Sequence, residues 1–128
     1  SRLILKTIGN YIFRELSIIG VKCQKPQGGF YMLCDFSNLI KKNKKIINSK
    51  MMCDKLLRET GFAMLPGSDF GMNEKLFISR IAFVDFDGKK ALKYVKDNKT
   101  LSHNSVKIIC PKIVRGIKKL KKWIQENF

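Results

Sequence analysis

The chain has 128 residues, enough for one domain around one core. Its hydrophobic fraction of 45% is ordinary for a folded domain, and no apolar run reaches the roughly 18 residues that a membrane helix needs. The net charge of +16 raises a nucleic-acid or acidic-membrane surface, but only five of the 26 basic residues are arginines, the residue that base and phosphate readers favour, so the excess reads first as a lysine-rich composition.

Lys6 interrupts the opening apolar run and no small-residue cleavage site follows it, so the first residues do not form a signal peptide. The chain opens inside an amphipathic pattern without an initiator Met, and is expected to be a piece of something longer. Leu5, Ile8, Ile12 and Leu16 recur at helical spacing and predict a helix over Leu3–Ile19, with Gly20 as a left-handed cap. Val21–Cys23 reads as a short strand, and Pro26-Gln27-Gly28-Gly29 as a turn or close backbone approach. Phe30–Phe36 is almost continuously apolar, as in a strand buried on both faces.

Lys41–Lys50 reads as an exposed loop or insertion. A second helix is expected over Ser49–Thr60, with Ser49 as N-cap, Met52, Cys53, Leu56 and Leu57 as its apolar stripe, and Gly61 as its end. Phe62–Leu65 suggests a strand stopped by Pro66-Gly67-Ser68. Leu76–Val84 alternates, with Leu76, Ile78, Arg80, Ala82 and Val84 on one face and Phe77, Ser79, Ile81 and Phe83 on the other. Arg80 thus stands in an otherwise apolar strand. It requires an anionic or carbonyl partner, or a strand that lines a solvated cleft.

Asp85–Gly88 reads as a turn before a helix over Lys89–Lys96. Asp97–Pro111 is polar, with Val106–Ile109 a weak strand candidate and His103 expected to be exposed rather than catalytic. Ile113, Ile117, Leu120, Trp123 and Ile124 mark a final helix. The order suggests an α+β fold, a small mixed sheet packed against helices, over a single domain, residues 1–128. Cys23, Cys34, Cys53 and Cys110 form no CxxC pair and only one histidine accompanies them, so no metal site is expected and the thiols read as free in a reducing cytoplasm.

Three segments carry a family resemblance. Pro26–Ser37 resembles the P-x-G-G-F-Y-hydrophobic-x-x-D-F segment of class I/II (fold type I) pyridoxal-phosphate-dependent aminotransferases. Gly61–Gly71, with its Pro66-Gly67-Ser68, is similar to the family's P-G-S-x-F-G loop, and Ser79–Phe83 to its arginine-bearing strand. The three occur in the family's order and spacing. The resemblance covers nearly the whole chain, least so at Lys41–Lys50 and Asp97–Pro111. It implies a C-terminal small domain, a small mostly antiparallel sheet packed against helices, whose large, cofactor-holding domain is absent from this chain.

By that resemblance Arg80 binds the α-carboxylate of an amino acid or 2-oxo acid substrate, for which a planar guanidinium fork is suited. The competing reading is a fixed ion pair with Asp35, Asp69 or Asp85. Gly29 lies near the implied domain interface and is a possible ligand contact. The family's cofactor lysine belongs to a Ser-hydrophobic-Ser-Lys segment upstream. Asn48-Ser49-Lys50 lacks that context, so Lys50 is not that residue. The resemblance implies pyridoxal 5'-phosphate, a homodimeric parent in amino acid metabolism and a chain inactive by itself. A carbon–sulfur lyase or synthase is the alternative on the same fold. A basic nucleic-acid-binding module is the alternative of another class, weakened because the lysines are dispersed and the aromatics stand in apolar runs.

Overall fold

The computed structural model describes residues 2–24, 31–40, 43–82, 88–98 and 100–128. The first helix, α1 (Arg2–Ile18), buries Ile4, Ile8, Tyr11, Ile12 and Leu16, the face expected from their spacing. Gly20 adopts φ 94°, the Gly20 N–H donates to the Ser17 carbonyl and the Val21 N–H to the Leu16 carbonyl. This pair of bonds satisfies carbonyls that the helix end would orphan, and glycine takes the left-handed position without a Cβ clash. The chain then enters β1 (Lys22–Cys23).

Strand β2 (Tyr31–Asp35) is followed by one helical turn, α2 (Ser37–Ile40), and then by α3 (Ser49–Thr60). A two-residue strand, β3 (Leu65–Pro66), leads through a 3-10 turn at Gly67–Phe70 to β4 (Ile78–Ala82). The remainder is helical: α4 (Gly88–Asn98), a 3-10 turn at His103–Ser105, α5 (Val106–Ile109) and α6 (Pro111–Asn127). The four strands form one sheet in the order β1-β2-β4-β3, and every pair is antiparallel. The predicted α+β architecture is therefore what the chain adopts.

One face of this sheet is core. Met32, Cys34, Ser79 and Ile81 are buried there, and the Cys53 thiol of α3 meets the Ser79 hydroxyl at 3.3 Å. Helix α3 packs on β3 and β4, α1 packs on β1, and α6 packs against both helices. Leu56 and Leu120 are fully buried in that layer. Trp123 is also buried, donates through Nε1 to Glu59 Oε1 at 3.2 Å, and stacks edge-on against Phe128.

Several expectations are corrected. Strand β2 is not buried on both faces: Met32 and Cys34 are buried, but Leu33 and Asp35 are half-buried and Tyr31 is exposed. Helix α3 has the expected bounds, but its N-cap is Asn48, whose side chain accepts from the Met51 N–H, while Ser49 is buried inside the first turn. Leu57 points outward. The 41–50 stretch is not all solvated surface, since Ile46 is buried and Asn43 Nδ2 donates to the Asn127 carbonyl at 3.0 Å.

The strand expected at Phe62–Leu65 begins only at Leu65 and includes Pro66, which an edge strand tolerates because its missing N–H faces no partner. Phe62 instead packs on α6, where a Cβ added to Gly116 would sit 2.8 Å from its ring. Val106–Ile109 is helical, with Val106 and Ile109 buried three residues apart and a reciprocal Ser102–Ser105 cap just before it. The Pro26–Gly29 turn, Phe83, Val84 and the Asp85–Asp87 part of the following turn lie outside the described residues.

Candidate functional site

Alternation along β4 sends Ser79 and Ile81 into the core and Arg80 to the opposite, open face of the sheet. Arg80 stands directly across from Leu33 on β2 and from Leu65 on β3, so it sits at the middle of that face. The carbon at the centre of its guanidinium lies 4.7 Å from the centroid of the Tyr31 ring and 5.3 Å from that of Phe70. Tyr31 reaches it diagonally, because Tyr31 pairs with Ala82, two residues further along β4. Phe70 reaches it from the 3-10 turn.

Gly67 starts that turn. A Cβ there would lie 2.9 Å from the Ile78 carbonyl oxygen and 3.2 Å from Met72 Cβ, so the turn approaches β4 as closely as backbone allows. Gly67→Ala is therefore expected to push the turn and Phe70 away from β4 and to destabilise the fold by roughly 1–3 kcal/mol. Urea unfolding measures this, and an unchanged midpoint would contradict the contact.

The competing ion-pair reading for Arg80 loses two of its three candidates. Asp35 Oδ1 accepts from the Ser37 N–H at 2.9 Å and so closes the entry to α2. Asp69 is exposed, and neither carboxylate pairs with Arg80; Asp85 lies outside the described residues. Cation–π attraction to two rings consumes no N–H donor, so the guanidinium retains its fork for a planar anion. Half-buried between rings, Arg80 is shielded enough to strengthen such a pair and open enough to receive it.

Gly29 lies outside the described residues. His103 is half-buried rather than exposed: its ring stacks at 4.5 Å on Tyr11, and Nε2 lies 3.2 Å from Glu15 Oε2. Lys121 Nζ lies 3.2 Å from the other Glu15 oxygen, so the cluster ties the 3-10 turn at His103–Ser105 to α1 and α6. Lys50 is exposed on the first turn of α3, beside a concavity of about 660 Å³ lined also by Asn43, Lys45, Asp54 and Arg58, none of them on the Arg80 face. Among the described residues, no helix is long and apolar enough to cross a membrane.

The sequence reading singled out Arg80 but not its aromatic walls. Tyr31 and Phe70 both lie in the segments that resemble the family, yet only the strand register and the close approach at Gly67 bring them to one guanidinium.

No family model matches the chain. Over 80 residues it is 34% identical to the inactive alanine aminotransferase of Saccharomyces cerevisiae, a match covering 56% of this chain and 15% of that protein. Over 64 residues it is 38% identical to the aspartate/prephenate aminotransferase of Cereibacter sphaeroides, covering 47% and 16%. Its fold superposes on an aminotransferase from Mycobacterium tuberculosis with a TM-score of 0.60 at 21% identity, covering 93% of this chain and 24% of that one. The chain matches a C-terminal fragment of fold type I aminotransferases. The aspartate aminotransferase of Thermotoga maritima gives a TM-score of 0.62 at 18% identity over 94% of this chain and 23% of its own. The chain thus spans about a sixth or less of the curated relatives it matches and about a quarter of the solved chains.

Proposed function

We propose that the chain is the substrate-clamping part of a pyridoxal-phosphate-dependent aminotransferase that exchanges an amino group between an amino acid and a 2-oxo acid. The observation that carries this reading is the Arg80 guanidinium, at the centre of an open sheet face, flanked by Tyr31 and Phe70 and unpaired with Asp35 or Asp69. When bound, pyridoxal phosphate supplies the electron sink that stabilises a carbanion at the substrate Cα.

Among the described strand residues, the Arg80 face carries one lysine, Lys22 of the edge strand β1, which stands across from Asp35 and two strands away from Arg80. No covalent attachment or phosphate cradle is assigned to this face. Arg80 takes the α-carboxylate through two parallel N–H bonds, the aromatic walls exclude water from that pair, and the fixed carboxylate orients the Cα–H for proton removal by a group of the large domain. The same reading places a homodimeric parent in the cytoplasm, with no specific nucleic-acid partner. The parent's large domain holds the cofactor, and this chain alone does not transaminate.

Mixing the chain with the upstream large domain tests the reading. The expected result is a shift of the cofactor's absorbance on adding an amino acid, together with transamination that neither piece performs alone. Absence of both from a folded complex refutes the proposal.

A further inference from the structure

We propose that Cys23 and Cys34 form a reversible cross-strand disulfide on exposure to a peroxide, with Cys23 reacting first. The two residues are direct partners in the β1–β2 ladder, and their sulfurs lie 3.2 Å apart. The Gln24 N–H donates to the Leu33 carbonyl at 3.0 Å, which makes Gln24 and Leu33 a hydrogen-bonded pair and places Cys23 and Cys34 in the adjoining non-hydrogen-bonded position. There the Cα atoms of opposed residues approach to about 4.5 Å, within the separation a disulfide spans. Bond formation thus needs side-chain rotation rather than a change of register.

Access is unequal. Strand β1 is the sheet edge and Cys23 is half-buried, whereas Cys34 is fully buried against the core. The hydrogen bond with Cys23, reinforced by burial, holds the Cys34 thiol well above the ordinary range, so Cys34 stays protonated while its neighbour meets the oxidant. The Cys23 sulfur attacks one peroxide oxygen. The O–O bond breaks, Cys23 becomes a sulfenic acid, and the second oxygen leaves with the thiol proton as water. The Cys34 sulfur then attacks the Cys23 sulfur. The S–O bond breaks, and the departing hydroxide takes the Cys34 proton as a second water. Two thiols and one hydrogen peroxide thereby become one disulfide and two waters.

Cys53 is the natural internal control. It is buried, contacts the Ser79 hydroxyl, and its thiol is pushed up to about 11, chiefly by burial. The test treats the protein with hydrogen peroxide, quenches in denaturant, alkylates, and measures the labelling of each cysteine by mass spectrometry. Cys23 and Cys34 are expected to lose labelling together and to regain it together after dithiothreitol, while Cys53 stays labelled. In Cys23→Ser, a change at the sheet edge that leaves the core intact, Cys34 is expected to keep its label after peroxide. Loss of Cys23 alone, oxidation of Cys23 to a sulfinic acid with Cys34 still labelled, or pairing of either with Cys53 or Cys110 overturns the proposal.

Discussion

With Arg80 as the proposed substrate clamp, Arg80→Ala, assayed with the large domain present, is expected to lower kcat/KM for carboxylate substrates by about 2–4 kcal/mol, or roughly 30- to 1000-fold. The figure is that of a charge-assisted pair losing one partner while the other remains in a partly shielded site. Arg80→Lys keeps the charge but loses the fork and the aromatic contacts, so an intermediate loss is expected. The melting temperature should change little in either variant, because the described contacts of Arg80 are with two rings on the open face of the sheet rather than with core or carboxylate. Steady-state kinetics with a 2-oxo acid and with its ester separates the roles. An unchanged preference for the free acid removes Arg80 from the substrate site.

Trp123→Ala is the largest expected effect on stability. The side chain is buried between α6 and α3 and packs edge-on against Phe128 at 5.3 Å. Its removal should cost about 3–5 kcal/mol and lower the melting temperature by on the order of 10–20 °C. Trp123→Phe keeps most of the ring but loses the N–H that meets Glu59, and should cost far less because Glu59 remains in contact with water. Glu59 also gives this contact a pH sign. The hydrogen bond from Lys55, then that from Trp123, holds its carboxyl below the usual range. The contribution is therefore complete above the unfolded carboxylate value of about 4.3 and disappears as pH falls through the folded value. Thermal melts across that window measure it, and a Trp123→Ala protein that melts with the native one would contradict the packing.

Helical periodicity and the strangeness of one arginine were the legible parts of this sequence. Helices α1, α3 and α6 have dominant apolar stripes and end at residues that the sequence marks, Gly20 and Gly61 among them. The failures share a cause. Phe62 packs on α6, and Val106 and Ile109 are buried as one face of a helical turn, whereas a short apolar run does not declare which kind of neighbour it meets. The outward turn of Leu57 and the half-open face of β2 likewise depend on what lies opposite. Arg80 stood out because an unpaired cation is costly anywhere in an apolar strand. Tyr31 and Phe70 did not, since aromatic residues in a strand and a turn need no explanation until register and a close backbone approach bring them together.

The sheet divides the labour of this domain between its two faces. Helices, and with them nearly all of the burial, lie behind Met32, Cys34, Ser79 and Ile81, while Arg80 and its aromatic walls stand in front. Tyr31 stands on the front face and Leu120 in the helical layer behind, so the effects of substitutions at these two should add rather than interfere. On the proposed clamp role, what the front face accepts can be retuned without renegotiating how the chain folds.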